Sequence, residues 1–195
     1  MVTDMLNRLK AEFARALRNF HYERTENGVW FPAQKAGFGG IFATSVDGAP
    51  WQHHKNTVAL EGLDAQLSTY FNNGAPPTGF YLAPFTNNVA PTSALTAALF
   101  ASTLGEYTGY TQATRAAWVP NGPSAAQTVS NSNAPGAFTV GAAAVNVTGA
   151  ALLATASAKG ATTGVLVAAA LFSTANSLNP GSTLKVQYSL AGTPA

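Results

Sequence analysis

Ionisable side chains are gathered at one end of this chain, and that segregation limits what the remainder can fold into. Residues 1–64 carry seven Lys/Arg and seven Asp/Glu, whereas the 131 residues that follow carry only Glu106, Arg115, Lys159 and Lys185. All three histidines, His21, His53 and His54, also lie in the first part. Soluble domains are usually ~25% charged; this one is 9% charged and 47% apolar, too hydrophobic for intrinsic disorder. The 195 residues suffice for one domain with a buried core plus an appendage. The absence of cysteine excludes a disulfide scaffold, a thiolate metal site and a cysteine nucleophile. A formal charge of +2 is too small a margin to signal a nucleic-acid partner.

Residues 4–20 read as an amphipathic helix: Leu6, Leu9, Phe13, Ala16 and Phe20 follow a 3-4-3-4 seam that Leu17 widens. Thr3 suits the N-cap, and Asp4 the positive end of the helix dipole. A solitary helix of this length is marginal, so its apolar seam needs a cover, either its own domain or a groove on another protein. Residues 21–55 read as an extended arm, with turn material at Asn27-Gly28 and Gly37-Phe38-Gly39-Gly40 and aromatic anchors Trp30, Phe31, Phe38, Phe42 and Trp51. Val29-Trp30-Phe31 and Ile41-Phe42-Ala43 are short strand candidates within it.

A second helix is predicted over 57–72, with Leu60, Leu63, Leu67 and Tyr70/Phe71 on one face, Asn56 or Thr57 as cap, and Asn73-Gly74 with Pro76-Pro77 as terminator. From Phe80 onward the pattern changes to short β-rich runs separated by Gly, Pro, Asn and Ser. These runs are 80–85, 114–119, 126–130, 136–140, 145–154, 165–171 and 183–190, with a short helix admissible near 92–102. Seven or eight such runs predict a mainly β chain, its C-terminal domain an antiparallel β-sandwich of jelly-roll-like type. The expected organisation is a helix and docking arm over 1–55, then a helix plus sandwich over 56–195. The eight-residue apolar run from Val165 to Phe172 is too short to span a bilayer, and Met1 to Arg8 lacks the apolar core of a signal peptide, so no membrane partner is expected.

Hydrolytic or transfer chemistry needs an acid, a base or a metal, and the β region offers one carboxylate, Glu106, and no histidine. No phosphate-loop or nucleophile-elbow pattern is present. His53 and His54 are adjacent, so their rings diverge on a helix or a strand; no metal site, cofactor or catalytic residue is expected. Glu106 and Arg115, among Tyr107, Tyr110 and Trp118, admit two readings: a structural ion pair, or an aromatic platform for a carbohydrate. The charge-poor surface of Thr, Ser, Asn, Gln, Ala and Gly is weakly repulsive and suits a subunit packed against copies of itself.

Certain stretches resemble a known family. Gly79 to Asn88 (GFYLAPFTNN), preceded by Asn56 to Leu63 (NTVALEGL), resembles the opening of small structural proteins of tailed bacteriophages. Tyr107-Thr108-Gly109-Tyr110, Arg115 to Trp118, Gly149 to Leu153, and Lys159-Gly160 with Gly164 to Phe172 are similar in kind. The resemblance covers about residues 56–190 and implies a virion protein at a capsid-decoration, head–tail connector (neck) or tail-fibre position. Its implied partners are other virion proteins (capsid, portal/neck or tail) and further copies of itself, and it implies no catalytic residues. The expected function is therefore non-enzymatic: the β domain oligomerises, and Leu6, Leu9, Phe13, Leu17 and Phe20 dock the chain together with Trp30, Phe31 and Trp51. The alternative is a carbohydrate-binding or host-recognition module.

Overall fold

A computed structural model describes residues 22–24, 30–32, 36–121 and 127–194, with side chains over 38–121 and 127–192. The predicted helix over 4–20 lies outside the described residues. The chain divides into two compact units, Met1–Gly37 with Thr193–Ala195, and Phe38–Gly192. Within the first, β1 (Tyr22–Arg24) pairs antiparallel with β2 (Trp30–Pro32), Glu23 opposite Phe31.

The second unit holds two antiparallel sheets. Sheet I runs in the order β5 (Thr57–Val58), β11 (Val165–Leu178), β10 (Val145–Ala154), β6 (Phe80–Phe85), β7 (Ala116–Ala117). Sheet II runs β4 (Gln52–Lys55), β3 (Ala36–Val46), β12 (Thr183–Pro194), β8 (Thr128–Ser130), and β9 (Gly136–Thr139) also pairs with β12. The facing sides of the two sheets form one apolar cluster. Phe42, Phe138, Leu184, Val186 and Tyr188 come from sheet II, and Leu82, Ala150, Leu152, Ala168, Ala170 and Phe172 from sheet I. The architecture is thus mainly β, two sheets packed as a sandwich.

Sheet I is buried on its other face too. Ala83, Phe85, Ala151, Leu153, Leu166 and Ala169 pack with Ala59, Leu95, Ala97, Phe100 and Leu104. Of the latter group Ala59 is the N-cap of α1 (Leu60–Phe71), Leu95 lies in the loop before α2 (Ala97–Phe100), Ala97 and Phe100 belong to α2, and Leu104 to the π turn Ala101–Gly105. Strands covered on both sides read as unbroken apolar runs. This is why the last eight residues of β10 are all buried and why no charge interrupts Val165 to Phe172. Part of the charge depletion is therefore interior, not surface.

Two irregularities in the β10–β11 ladder shape the fold. Leu152 pairs with Ala168 and Leu153 with Leu166, so Val167 is an inserted residue, and Val167 and Ala168 both face the inter-sheet core. Further along, Val147 pairs with Asn176 but Gly149 with Leu171, so β11 loops away from β10 between those points. Gly149 is required where it stands, because a Cβ there would overlap the Phe85 ring and the Ala170 carbonyl oxygen.

The structure corrects several expectations. Residues 36–46 and 52–55, read as part of an extended arm, are strands of sheet II. Gly40 reads as turn material, yet it sits in β3 because the Tyr188 ring occupies the space a side chain would need. Of the run 114–119, only Ala116–Ala117 pairs. Asn56 does not cap α1; its Oδ1 accepts from Gly40 N–H and its Nδ2 donates to the Tyr188 hydroxyl, leaving Ala59 at the N-cap. The C-terminus of α1 does end as expected, with Asn73 in the left-handed region at φ 52°.

Candidate interaction surface

With charge so scarce, the place of each ionisable side chain is informative. Glu106 follows the π turn and bridges to Phe85, while Arg115 directly precedes β7. The two side chains meet inside the fold, 0% exposed for Arg115 and 1% for Glu106. Arg115 Nε donates to Oε1 at 2.8 Å and Nη2 to Oε2 at 2.6 Å, a bidentate fork. Nη1 donates to the Ala156 carbonyl (2.9 Å) and Nη2 also to that of Ala161 (3.0 Å), while Gly160 N–H donates to Glu106 Oε2 (3.1 Å). Both ions also bond to backbone groups of the 155–164 loop and pin it, so the pair holds structure in place. Lys159, in that loop, donates to the carbonyls of Thr108 and Tyr110 and lies 3.9 Å from the centroid of the Tyr110 ring.

The aromatic platform read from Tyr107, Tyr110 and Trp118 does not exist as an open surface. Tyr110 is 3% and Trp118 7% exposed, and both belong to the inter-sheet core. Trp118 Nε1 donates to the Tyr188 carbonyl at 3.0 Å, and its ring meets Phe80 edge-on. Burial, then the nearby Glu106 carboxylate, hold the Tyr110 phenol well above its usual ionisation range. Tyr107, the third ring, is partly exposed and meets Tyr110 with centroids 6.0 Å apart, so one partly exposed ring stands where three were read.

The two neighbouring histidines part as strand geometry requires. His53 is exposed, and His54 is buried against Phe172, ring centroids 4.4 Å apart. Ser173, in the stretch of β11 that leaves the ladder, donates its N–H to His54 Nδ1 (3.3 Å). Nε2 therefore carries the proton and faces Thr44 Oγ1 at 3.2 Å. His54 thus joins the edge of sheet II to sheet I as a neutral imidazole; burial, then His53, lower its pKa. No group of three or more His, Asp or Glu among the described residues could hold a metal ion, and no described helix is long and apolar enough to cross a membrane.

Of the residues expected to dock a partner, Leu6, Leu9, Phe13, Leu17 and Phe20 lie outside the described residues. Trp30 and Phe31 fall in β2, their side chains undescribed. Trp51 stands 38% exposed beside β4, and Phe38 and Ile41 of β3 are also exposed. A larger apolar surface lies on α1. The face shared by Leu60, Leu67, Tyr70 and Phe71 points outward, where an amphipathic helix would normally turn it to the core. The helix instead seats Gly62 on β11, where a Cβ would come 2.7 Å from Val167 Cα. Glu61 fastens it by accepting from the N–H groups of Ala97 (2.8 Å) and Leu166 (2.7 Å) through one carboxylate oxygen. The signal available in the sequence was Gly62, Ala65 and Thr69, small residues at helical spacing opposite the leucines.

After residue 64 the surface is nearly uncharged. Glu106 and Arg115 neutralise each other in the interior, Lys159 is half-buried over Tyr110, and only Lys185 is an exposed charge. Compared with protein-family models, with curated proteins and with solved structures, the chain matches none.

Proposed function

We propose that this chain is a non-enzymatic structural component of a tailed-phage virion. Its β domain, a jelly-roll-like sandwich in this reading, oligomerises, and its N-terminal helix and aromatic arm hold it on the head, neck or tail. The observation that carries the reading is the charge-poor surface of the β unit Phe38–Gly192, whose exposed Asp, Glu, Lys and Arg among the described residues are Asp47, Lys55, Asp64 and Lys185. Charge keeps soluble monomers apart, and a polar but uncharged surface costs little to desolvate against a copy of itself. Of the three rings on which a carbohydrate-binding reading would rest, Tyr110 and Trp118 are buried and Tyr107 is partly exposed, which favours the structural reading. In the full chain, Leu9→Glu with Phe13→Glu should abolish incorporation into particles, scored by mass spectrometry of purified virions, while near-UV circular dichroism stays unchanged. Particles carrying the double variant at normal copy number would refute the docking role.

A further inference from the structure

The outward face of α1 has a counterpart in the same sequence. Along α1, Leu60, Asp64, Leu67 and Phe71 recur at 0, 4, 7 and 11, one stripe of the helix surface. Along the helix predicted over 4–20, Leu6, Lys10, Phe13 and Leu17 recur at the same intervals. The two stripes differ in sign at one position: Asp64 in the first, Lys10 in the second. Leu60, Leu67, Tyr70 and Phe71 are 52%, 57%, 82% and 84% exposed, so among the described residues nothing covers the stripe on α1. Those four side chains offer on the order of 600 Å² of surface, close to the ~800 Å² that each partner contributes to a standard interface.

We infer that α1 is the receptor for segment 4–20 of a second copy of this chain, laid parallel and in register. Leu6 then meets Leu60, Lys10 pairs with Asp64, Phe13 meets Leu67, and Leu17 meets Phe71. Self-pairing of two α1 helices fits less well, because α1 carries Glu61 and Asp64 and no basic residue, whereas segment 4–20 carries four basic residues against two acidic ones. A helix laid into an apolar stripe with i, i+4, i+7 anchors is a recurrent recognition mode, and one buried charge pair within it fixes the register. The inference rests on the proposed oligomeric role and departs from the docking role proposed for the same helix: segment 4–20 joins one copy to the next, and the aromatic arm alone then holds the assembly on the head, neck or tail. Trp30, Phe31 and Trp51 are left for other virion proteins.

The absence of cysteine makes the test direct. Full-length Phe13→Cys and Leu67→Cys chains, mixed and oxidised, should yield a disulfide-linked pair containing one of each, on a scale that neither variant reaches alone. Asp64→Lys should weaken self-association at least tenfold in sedimentation equilibrium, and Asp64→Lys with Lys10→Asp should restore it. Both positions are polar, Asp64 is exposed, and an unchanged near-UV spectrum verifies the fold. If a chain carrying both Phe13→Cys and Leu67→Cys forms its disulfide only within itself, the segment binds its own domain and the inference is wrong. If the chain multimerises but neither cross-links nor responds to the charge swap, the inference fails while the oligomeric reading stands. A chain monomeric at every concentration overturns both.

Discussion

The Glu106–Arg115 pair sets the most demanding test of the packing argument. Glu106→Gln keeps the volume and one acceptor but removes the charge, leaving a fully buried guanidinium with the Ala156 and Ala161 carbonyls and a neutral amide. Breaking a buried pair from one side costs about 3–5 kcal/mol, because an uncompensated charge stays behind. The retained amide oxygen places Glu106→Gln near the lower end, about 3 kcal/mol. With a urea slope on the order of 2 kcal/mol per molar, the unfolding midpoint should fall by about 1.5 M. Replacing both partners by apolar residues of similar volume, Glu106→Leu with Arg115→Met, should recover most of that loss. Equilibrium urea unfolding of the unaltered chain and the two variants, followed by tryptophan fluorescence, measures both the loss and its recovery. A Glu106→Gln loss below about 1 kcal/mol, the scale of exposed pairs, would mean that the network is solvated and pins nothing.

Two further outcomes follow from the sheet geometry. Gly149→Ala places a methyl group in the Phe85 ring and against the Ala170 carbonyl, so it should cost about 3 kcal/mol, with Phe85→Leu in the same chain relieving part of it; independent, additive losses would contradict the packing. His54 is neutral in the fold with its pKa lowered below the usual 6.5, so the unfolded chain binds the proton more readily. Its contribution is complete above pH 6.5 and is lost as the pH falls toward the folded-state value. The urea midpoint should therefore drop as the pH falls below about 6.5, and His54→Gln should flatten that drop; an unchanged slope would remove His54 from the account.

Sequence pattern located the elements well where one physical signal dominated. The bounds of β6 and β10 coincide with the predicted runs, since strands buried on both faces are unmistakably apolar between polar turns. β11 continues seven residues past its predicted end at Leu171, an extension masked in the sequence because Ser173, Thr174 and Asn176 are polar where the strand loops out of the ladder. The centre of β3 was legible at Ile41 to Ala43, but its start was hidden by Gly37, Gly39 and Gly40, and the need for Gly40 depends on the ring of Tyr188, 148 positions away. The helix at α1 was legible but its orientation was not. Hydrophobicity points Leu60 and Leu67 inward, and only the close seat of Gly62 on Val167 turns them out. The nine-residue spacing of Glu106 and Arg115 allowed either a pair or a platform, and burial, which no local pattern reports, decides for the pair.

The account depends on the charge-poor β domain meeting further copies of itself. Sedimentation equilibrium of the full-length chain across micromolar to millimolar concentration tests this most directly. The expected result is a species of fixed stoichiometry whose mass is a whole multiple of 20.0 kDa. A mass that stays at 20.0 kDa throughout, with no tendency to associate, would contradict it.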